Sequence, residues 1–496
     1  MTASIRRVAL TMLLLFGALF VNLNYLQVVR ADDLASDSAN ARRLVAEYQS
    51  ERGRILEGRG ADTRPIAESV ETRGELKFLR TYDSGPLFAH VTGYSSPIFG
   101  RSEIEQAFNE ALTGNAPEAF ARNLTDLLAG RERAGDAVHT TVRGEVQQAA
   151  RDALGDREGA VVAVAPPTGE ILALWSSPPY DPNELASHDP DEVRAAWQRL
   201  NDNSAKPLLN RALRESYPPG STFKLITAAA ALENGVSPEQ TFPDPPQLEL
   251  PQTSATIGNF GGSLCNGGQP ISLTQALTVS CNTTFAQLGL ELGSEELAEQ
   301  AARFGFNTEW SFQVPGVATS RVPSDLDPPA TAQSAIGQRD VRATPLQMAM
   351  VSAAIANDGV MMAPRLVDRI EDTSGRVIRE FAPEELRLPG QSTAQAVSRS
   401  TANALQAMMT NVVSAGSGTS AAIPGVQVAG KTGTAQTGEG RPPTVWFVGF
   451  APADNPAVAV AVVVPDGGGA GSEATGGAIA GPMAREVIQA ALGTTQ

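Results

Sequence analysis

The chain opens with an uncharged run from Val8 to Val29, whose apolar centre is Met12–Val21. At about 1.5 Å per residue, a helix of this length spans the ~30 Å hydrocarbon core of a membrane. Arg6 and Arg7 precede the run, which favours a cytoplasmic N-terminus with everything after Arg30 outside. A cleaved signal peptide is the alternative. No convincing small-x-small cleavage site follows the run, so we predict an uncleaved single-pass anchor in the plasma membrane.

The pattern then changes to that of a globular protein. Residues 31–135 combine charged residues with scattered aromatic ones, which predicts a small mixed α/β region. The predicted strands are 138–142, 160–165, 170–175, 425–429, 444–450 and 457–464. The predicted helices are 145–154, 221–233, 273–292, 294–304, 345–357 and 482–492. From residue 160 onward, the order is two strands, then helices, then three strands and a helix. This order indicates an α+β fold, with an antiparallel sheet flanked by helices.

Composition limits the classes of function that fit. The length of 496 residues predicts two or three domains. The net charge of −16 repels phosphate backbones, so we expect no nucleic acid partner. The three histidines, His90, His139 and His188, stand near no cysteine or acidic cluster with ligand spacing, so we expect no zinc site.

Lysine is scarce in this sequence. Only Lys77, Lys206, Lys224 and Lys431 occur among 38 basic residues, so arginine supplies nearly all the positive charge. A lysine kept in such a chain is a candidate for reversible deprotonation, which arginine cannot provide. Lys77 and Lys206 lie in no motif and are interpreted as ordinary surface residues.

The first candidate motif is Ser221-Thr-Phe-Lys224, which follows the turn Pro218-Pro-Gly220 at a predicted helix start. Residues i and i+3 share one face of a helix, so the hydroxyl and the amine lie close together. Unpaired N–H groups and the positive end of the helix dipole favour a developing oxyanion there. A nearby amine with a lowered pKa could take the serine proton.

Two further motifs are weak on their own. Ser280-Cys-Asn282 places a hydroxyl beside an amide, although helix capping explains such a pair equally well. Lys431-Thr-Gly-Thr434 follows a predicted strand, where a cation beside hydroxyls suits a substrate carboxylate. Residues 425–432 also match the phosphate loop of nucleotide hydrolases. That loop must open a helix, and the following segment 435–443 cannot, so we set the ATPase interpretation aside.

The three motifs in this order resemble those of the penicillin-binding proteins and serine β-lactamases. The flanking segments 168–177, 210–212, 217–224, 336–338 and 344–347 are similar to class B penicillin-binding proteins. Arg52-Gly-Arg-Ile55 matches only the start of the class B pedestal motif, and residues 56–60 depart from it. The resemblance covers nearly the whole chain and is most specific after residue 138.

This resemblance implies a peptidoglycan D,D-transpeptidase that cross-links stem peptides through a serine acyl-enzyme, without a cofactor, and that β-lactams inhibit. The implied catalytic residues are Ser221 as nucleophile, Lys224 as base and Ser280 as proton relay. The implied substrate-binding residues are Asn282, Lys431, Thr432, Gly433 and Thr434, with an oxyanion hole formed by the backbone N–H groups of Ser221 and Thr434. A carboxypeptidase or β-lactamase on the same scaffold, and a non-catalytic β-lactam sensor, are the alternatives.

The resemblance also implies how the chain is divided. We expect a cytoplasmic tail at 1–7, an anchor at 8–29, a pedestal or dimerisation-like domain at 30–137, and the penicillin-binding transpeptidase domain at 138–496. No second enzymatic domain fits in residues 31–135, so glycan polymerisation would come from a membrane glycosyltransferase of the SEDS family.

The two cysteines remain open between two states. Cys265 and Cys281 are the only pair, and both would lie outside the cytoplasm, where a disulfide can form. A buried thiol at Cys281 is the alternative, because cysteine packs well beside a helix start.

Overall fold

The computed structural model describes residues 2–30, 45, 47–58, 60–74, 76–117, 134–309, 311–438 and 440–493. Helix α1 covers Thr2–Asn24 and continues as a π-helical turn over Tyr25–Val29. Its large apolar side chains are exposed, as those of Leu13 and Phe20 illustrate. In the part of the chain that the structure describes, this helix alone is long and apolar enough to cross a membrane. It fits a single-pass membrane anchor.

The remaining elements follow in chain order. The strands are β1 Ile55–Glu57, β2 Arg64–Glu71, β3 Phe78–Thr81, β4 Ser95–Ser96, β5 Gly100–Arg101, β6 Ala137–Thr140, β7 Gly159–Val164, β8 Ile171–Ser177, β9 Thr241–Phe242, β10 Gln247–Glu249, β11 Thr256–Gly258, β12 Ile271–Ser272, β13 Val367–Glu371, β14 Val377–Glu380, β15 Ala429–Ala435, β16 Thr444–Ala451 and β17 Val458–Val464. The helices are α2 Gly85–Thr92, α3 Glu103–Ala107, α4 Asn109–Leu112, α5 Gly144–Leu154, α6 Asn183–Ala186, α7 Pro190–Asp202, α8 Arg211–Arg214, α9 Lys224–Glu233, α10 Leu273–Val279, α11 Asn282–Arg303, α12 Pro328–Ala335, α13 Pro345–Ala356, α14 Arg399–Ala415 and α15 Gly476–Gly493.

A five-stranded antiparallel sheet forms the centre of the region after residue 138. Its strand order is β15-β16-β17-β7-β8, so β15 lies at one edge. Strands β16, β17, β7 and β8 are buried at every position, because helices α5, α13 and α15 pack against the sheet and α14 packs against β15. The predicted α+β fold, with an antiparallel sheet flanked by helices, is confirmed.

A second sheet of six strands has the order β14-β13-β6-β1-β2-β3. Strands β1, β2 and β3 come from the region before residue 137, whereas β13 and β14 come from more than 200 residues later. Strand β6 joins the two groups, since it pairs parallel with β1 and antiparallel with β13. The sheet therefore crosses the boundary expected between residues 137 and 138 and joins the regions on its two sides.

Three predicted elements differ from the structure. The helix expected at 273–292 is broken after Val279, because Ser280 adopts a left-handed conformation with φ 63° and a new helix begins at Asn282. The helix expected at 294–304 is present as the second part of α11, because the backbone at Gly293 is non-helical (φ 85°, ψ 164°) and separates it from residues 282–292. The strand expected at 425–429 instead covers Ala429–Ala435 and contains the whole lysine motif. The last helix begins at Gly476, with Pro482 inside it.

Candidate active site

Ser221 lies in a tight turn at the start of helix α9. Residues Gly220–Phe223 form a 3₁₀ turn that runs directly into the helix at Lys224. Gly220 has φ 53°, a conformation that glycine adopts without strain, and its N–H donates to the carbonyl of Gly337 at 2.9 Å. A Cβ on Gly337 would lie 2.1 Å from the oxygen of Gly220. These contacts fix the position of the half-buried Ser221.

Edge strand β15 runs against this turn. A Cβ on Gly433 would lie 2.7 Å from the carbonyl oxygen of Pro219, and one on Gly220 would lie 2.8 Å from the oxygen of Thr434. The indole N–H of Trp446 donates to the carbonyl of Pro218 at 3.0 Å, which holds the turn to the next strand of the sheet. Glycine is required here because two backbone segments meet.

The Lys224 side chain connects the first motif with the second. It is fully buried, and its Nζ donates to the Ser280 carbonyl at 2.8 Å and to Asn282 Oδ1 at 2.7 Å. The Ser280 Oγ lies 3.3 Å from the same nitrogen. The ring of Phe285 lies below the amine, with 5.5 Å between Nζ and the ring centroid. No carboxylate is among these contacts.

The second motif is positioned by the break between α10 and α11. The left-handed Ser280 turns the chain, and its N–H still donates to Leu277 at 3.2 Å. The amide oxygen of Asn259 accepts from the N–H groups of Asn282 and Thr283, at 2.9 Å and 3.1 Å. Asn259 thus serves as the N-terminal cap of α11, a role that the side chain of Cys281 does not fill.

The third motif lies within β15, on the other side of Ser280. Lys431 is fully buried, and its Nζ donates to Ser280 Oγ and to the Thr432 carbonyl, both at 2.9 Å. The Ser280 hydroxyl therefore stands between the two lysine amines. Thr434 Oγ1 accepts from the N–H of Gly476 at 3.2 Å. Thr432 Oγ1 lies 2.7 Å from the hydroxyl of Ser417.

Burial dominates the electrostatics of both lysines. Burial first, and then the positive charge of Lys431, hold the pKa of Lys224 well below the usual lysine value of 10.5. Burial alone lowers the pKa of Lys431 to about 7. The lowered pKa means that the amine of Lys224 loses its proton more readily than an ordinary lysine does.

The two cysteines form a disulfide in the structure. This bond joins Cys281, in the middle of the second motif, to the loop that follows β11. The carboxylate of Asp244 accepts from the N–H groups of Cys265, Asn266 and Gly268, at 2.6–3.0 Å, and orders that loop. Asp244 lies close enough to both sulfurs to resemble a metal-ligand cluster, but disulfide-bonded sulfurs are not thiolate ligands.

The structure thus brings the predicted site residues of all three motifs together. Lys431 and Thr432 lie inside a strand, so the phosphate-loop match fails the requirement for a turn followed by a helix. The sequence analysis missed Asn259 and Ser417, which reach the site through contacts remote in sequence. No local signal marks either residue, because an isolated asparagine or serine in a loop has no distinctive pattern.

Comparison with known proteins matches two regions of the chain to domains of penicillin-binding proteins. Residues 159–489 match the penicillin binding protein transpeptidase domain, and residues 52–138 match the penicillin binding protein A dimerisation domain. The chain is 43% identical to the peptidoglycan D,D-transpeptidase PbpA of Mycolicibacterium smegmatis, over 99% of both chains. It is 42% identical to PbpA of Mycobacterium tuberculosis over the same share of both.

Solved structures agree with this comparison. Penicillin-binding protein A from M. tuberculosis, as its ceftriaxone acyl-enzyme complex, superposes with a TM-score of 0.85 at 42% identity and covers 90% of this chain and 100% of that one. The imipenem acyl-enzyme complex of the same protein gives 0.84, with the same identity and coverage. The chain therefore belongs to the class B penicillin-binding proteins, in the group of penicillin-binding protein A.

Proposed function

We propose that this chain is a peptidoglycan D,D-transpeptidase that cross-links stem peptides through an acyl-enzyme on Ser221. The observation that carries the proposal is the position of Ser221 at a helix start, one turn before a buried lysine whose pKa is far below normal. The PbpA relatives carry this activity in their names, and the M. tuberculosis protein forms acyl-enzymes with β-lactams.

In the acylation step, Ser221 Oγ attacks the carbonyl of the penultimate D-alanine and Lys224 takes the hydroxyl proton. The hydrogen-bond count supports this role: a neutral amine has two N–H donors, and the Ser280 carbonyl and Asn282 Oδ1 accept both. The nitrogen lone pair remains available for the proton. The oxyanion is stabilised by the backbone N–H groups of Ser221 and Thr434, which belong to the helix start and the adjacent edge strand.

In the next step, the bond between the carbonyl carbon and the terminal D-alanine nitrogen breaks. Ser280 passes a proton to that nitrogen, and its position between the amines of Lys224 and Lys431 supports a relay in either direction. An amine of a neighbouring stem peptide then attacks the ester, forms the cross-linking amide and returns the proton to Ser221.

The remaining motif residues bind the donor peptide. Asn282 holds the peptide amide, and Lys431 supplies positive potential for the terminal carboxylate. The Thr432 and Thr434 hydroxyls bind that carboxylate, while Gly433 lets the substrate backbone and the Ser221 turn approach the strand.

The anchor, the pedestal and the partner belong to the same proposal. Arg6 and Arg7 before the apolar helix favour a cytoplasmic N-terminus and an extracytoplasmic catalytic domain. We assign residues 1–7 to the tail, 8–29 to the anchor, 30–137 to the pedestal and 138–496 to the transpeptidase domain. A membrane glycosyltransferase of the SEDS family supplies the glycan strands, since the pedestal matches a dimerisation domain rather than an enzyme.

The test of this function uses the detergent-solubilised full chain with a stem-peptide thioester as donor and a D-amino acid as acceptor. We expect the donor–acceptor amide to form faster than the hydrolysed acid, and neither product with Ser221→Ala. Exclusive formation of the hydrolysed acid would assign a carboxypeptidase instead. Turnover that survives in Ser221→Ala would reject the serine mechanism.

A further inference from the structure

A hydroxyl outside the three motifs touches the third one. Ser417 is half-buried and lies two residues beyond the end of helix α14. Its Oγ is 2.7 Å from Oγ1 of Thr432, which is only 6% exposed. At this distance one of the two hydroxyls donates a hydrogen bond to the other.

The backbone around Ser417 is held between helices α10 and α15. Its N–H donates to the carbonyl of Thr278, two residues before Ser280, at 3.1 Å. A Cβ on Gly416 would lie 2.2 Å from the same carbonyl oxygen, and one on Gly477 would lie 2.5 Å from the oxygen of Ser417. Because α10 and α15 both close on this segment, the hydroxyl has a fixed location beside β15.

Either hydroxyl can donate in this bond, and the direction decides which of them keeps a hydrogen for a ligand. Each hydroxyl has one hydrogen to donate and two lone pairs. Thr434 already accepts from the N–H of Gly476, so its own hydrogen is left for a ligand. The amine of Lys431 donates to the backbone carbonyl of Thr432 and not to its hydroxyl. If Ser417 donates to Thr432, the Thr432 hydroxyl keeps its own hydrogen for a ligand, as Thr434 does.

We infer that Ser417 is a positioning residue for the carboxylate subsite, which donates to Thr432 and thereby turns the Thr432 hydrogen toward the terminal carboxylate of the donor peptide or β-lactam. The inference rests on the proposed function, because it takes Thr432 as a ligand of that carboxylate. It adds a specificity determinant that lies outside the three motifs.

The consequence is selective. Without the Ser417 hydroxyl, the Thr432 hydroxyl rotates freely or donates to another acceptor. Acyl donors with a carboxylate then lose a preorganised hydrogen bond. Donors without a carboxylate lose nothing, since Ser417 makes no other hydrogen bond to the three motifs among the residues that the structure describes.

The experiment measures the second-order rate of Ser221 acylation by benzylpenicillin and by its methyl ester, with the adduct followed by mass spectrometry. We expect Ser417→Ala to lower the rate for the free acid about fivefold, the size of one hydrogen bond, and to leave the rate for the ester unchanged. Ser417→Thr keeps a hydroxyl and restores the rate for the free acid. Ser414→Ala, which changes an exposed serine in the last turn of α14, is the matched control with no effect on either.

A double-mutant cycle with Thr432→Val completes the test. Once Thr432 has no hydroxyl, Ser417→Ala should cause no further loss with the free acid. Equal losses for acid and ester, an unchanged rate for the acid, or additive losses in the cycle would each overturn the inference. Should Ser417→Ala not fold, Ser417→Cys, with its weak S–H donor, replaces it. Failure of the wild-type chain to form any adduct would instead reject the proposed function.

Discussion

At the scale of single residues, the two motif lysines differ in what they must do. In the proposed mechanism Lys224 has to give up and accept a proton, whereas Lys431 supplies charge. Arginine keeps its proton at any working pH. We therefore expect Lys224→Arg to abolish acylation by a β-lactam, and Lys431→Arg to retain measurable acylation. Stopped-flow acylation rates of the two variants decide this, and equal rates would refute the base role of Lys224.

The pH profile follows from the same two amines. In the proposed mechanism acylation needs a neutral Lys224 and a charged Lys431, and burial lowers the pKa of Lys431 to about 7. The second-order rate constant for the wild-type chain should therefore fall as pH rises above about 7. In Lys431→Arg the charge persists, so this alkaline fall should be absent up to about pH 9. An identical alkaline limb in both proteins would contradict the assigned charge of Lys431.

A buried carboxylate in the pedestal gives a prediction about acid stability. Glu105 bonds the guanidinium groups of Arg52 and Arg80, both at 2.6 Å. Burial alone would raise the pKa of its carboxyl, but the two arginines lower it to about 2. The resulting stabilisation is present above the ordinary pKa near 4.5 and is lost as pH falls toward 2.

Urea unfolding of Glu105→Gln measures this effect. We expect a loss of about 3 kcal/mol at pH 7, because two buried cations lose their counter-ion. The difference from wild type should shrink as pH is lowered from 5 to 3. Glu110→Gln, an exposed residue on the adjacent helix, is the control and should change little. A difference that is constant with pH would reject the assigned pKa.

At the scale of elements, sequence patterns predict what local periodicity determines. The buried strands β7, β8, β16 and β17 appear as apolar runs, and α5 and α13 begin and end within two residues of their predicted bounds. The break at Ser280 is not visible in the same way, because the helical pattern of apolar residues continues from α10 into α11. It depends on Asn259, which lies more than 20 residues away in the chain.

The disulfide belongs to this scale because it joins two segments. It closes a loop of 16 residues, so its loss should lower the free energy of unfolding by about 3 kcal/mol. We also expect slower acylation after reduction, since Cys281 lies between Ser280 and Asn282. Thiol titration in denaturant, on protein prepared without reductant, should find no free thiol. Two free thiols would refute the bond, and Cys265→Ser/Cys281→Ser controls for effects of the reductant itself.

At the scale of the whole molecule, the order of motifs identifies the fold, but long-range pairing assembles it. The sequence places the pedestal before residue 138, yet β13 and β14 complete the pedestal sheet from a distant part of the chain. No local pattern in 367–380 reveals that partner. The three motifs were recognised because their order is specific, whereas Ser417 was not, because its contact with Thr432 exists only in three dimensions.

The anchor gives a prediction for the whole chain. An uncharged apolar helix after Arg6 and Arg7, without a convincing cleavage site, should keep the protein in the membrane with residues 1–7 intact. Fractionation followed by N-terminal peptide mass spectrometry checks this. A soluble mature form that begins after residue 20 would contradict it. A chain that starts at residue 31 serves as the soluble comparison.

The central claim of this account is that Ser221 carries the acyl group. The most direct measurement is peptide mapping by mass spectrometry after incubation of the full chain with benzylpenicillin. The account predicts one adduct, located on the hydroxyl of Ser221, and no adduct in Ser221→Ala. An adduct on another serine, or labelling that persists in Ser221→Ala, would contradict it.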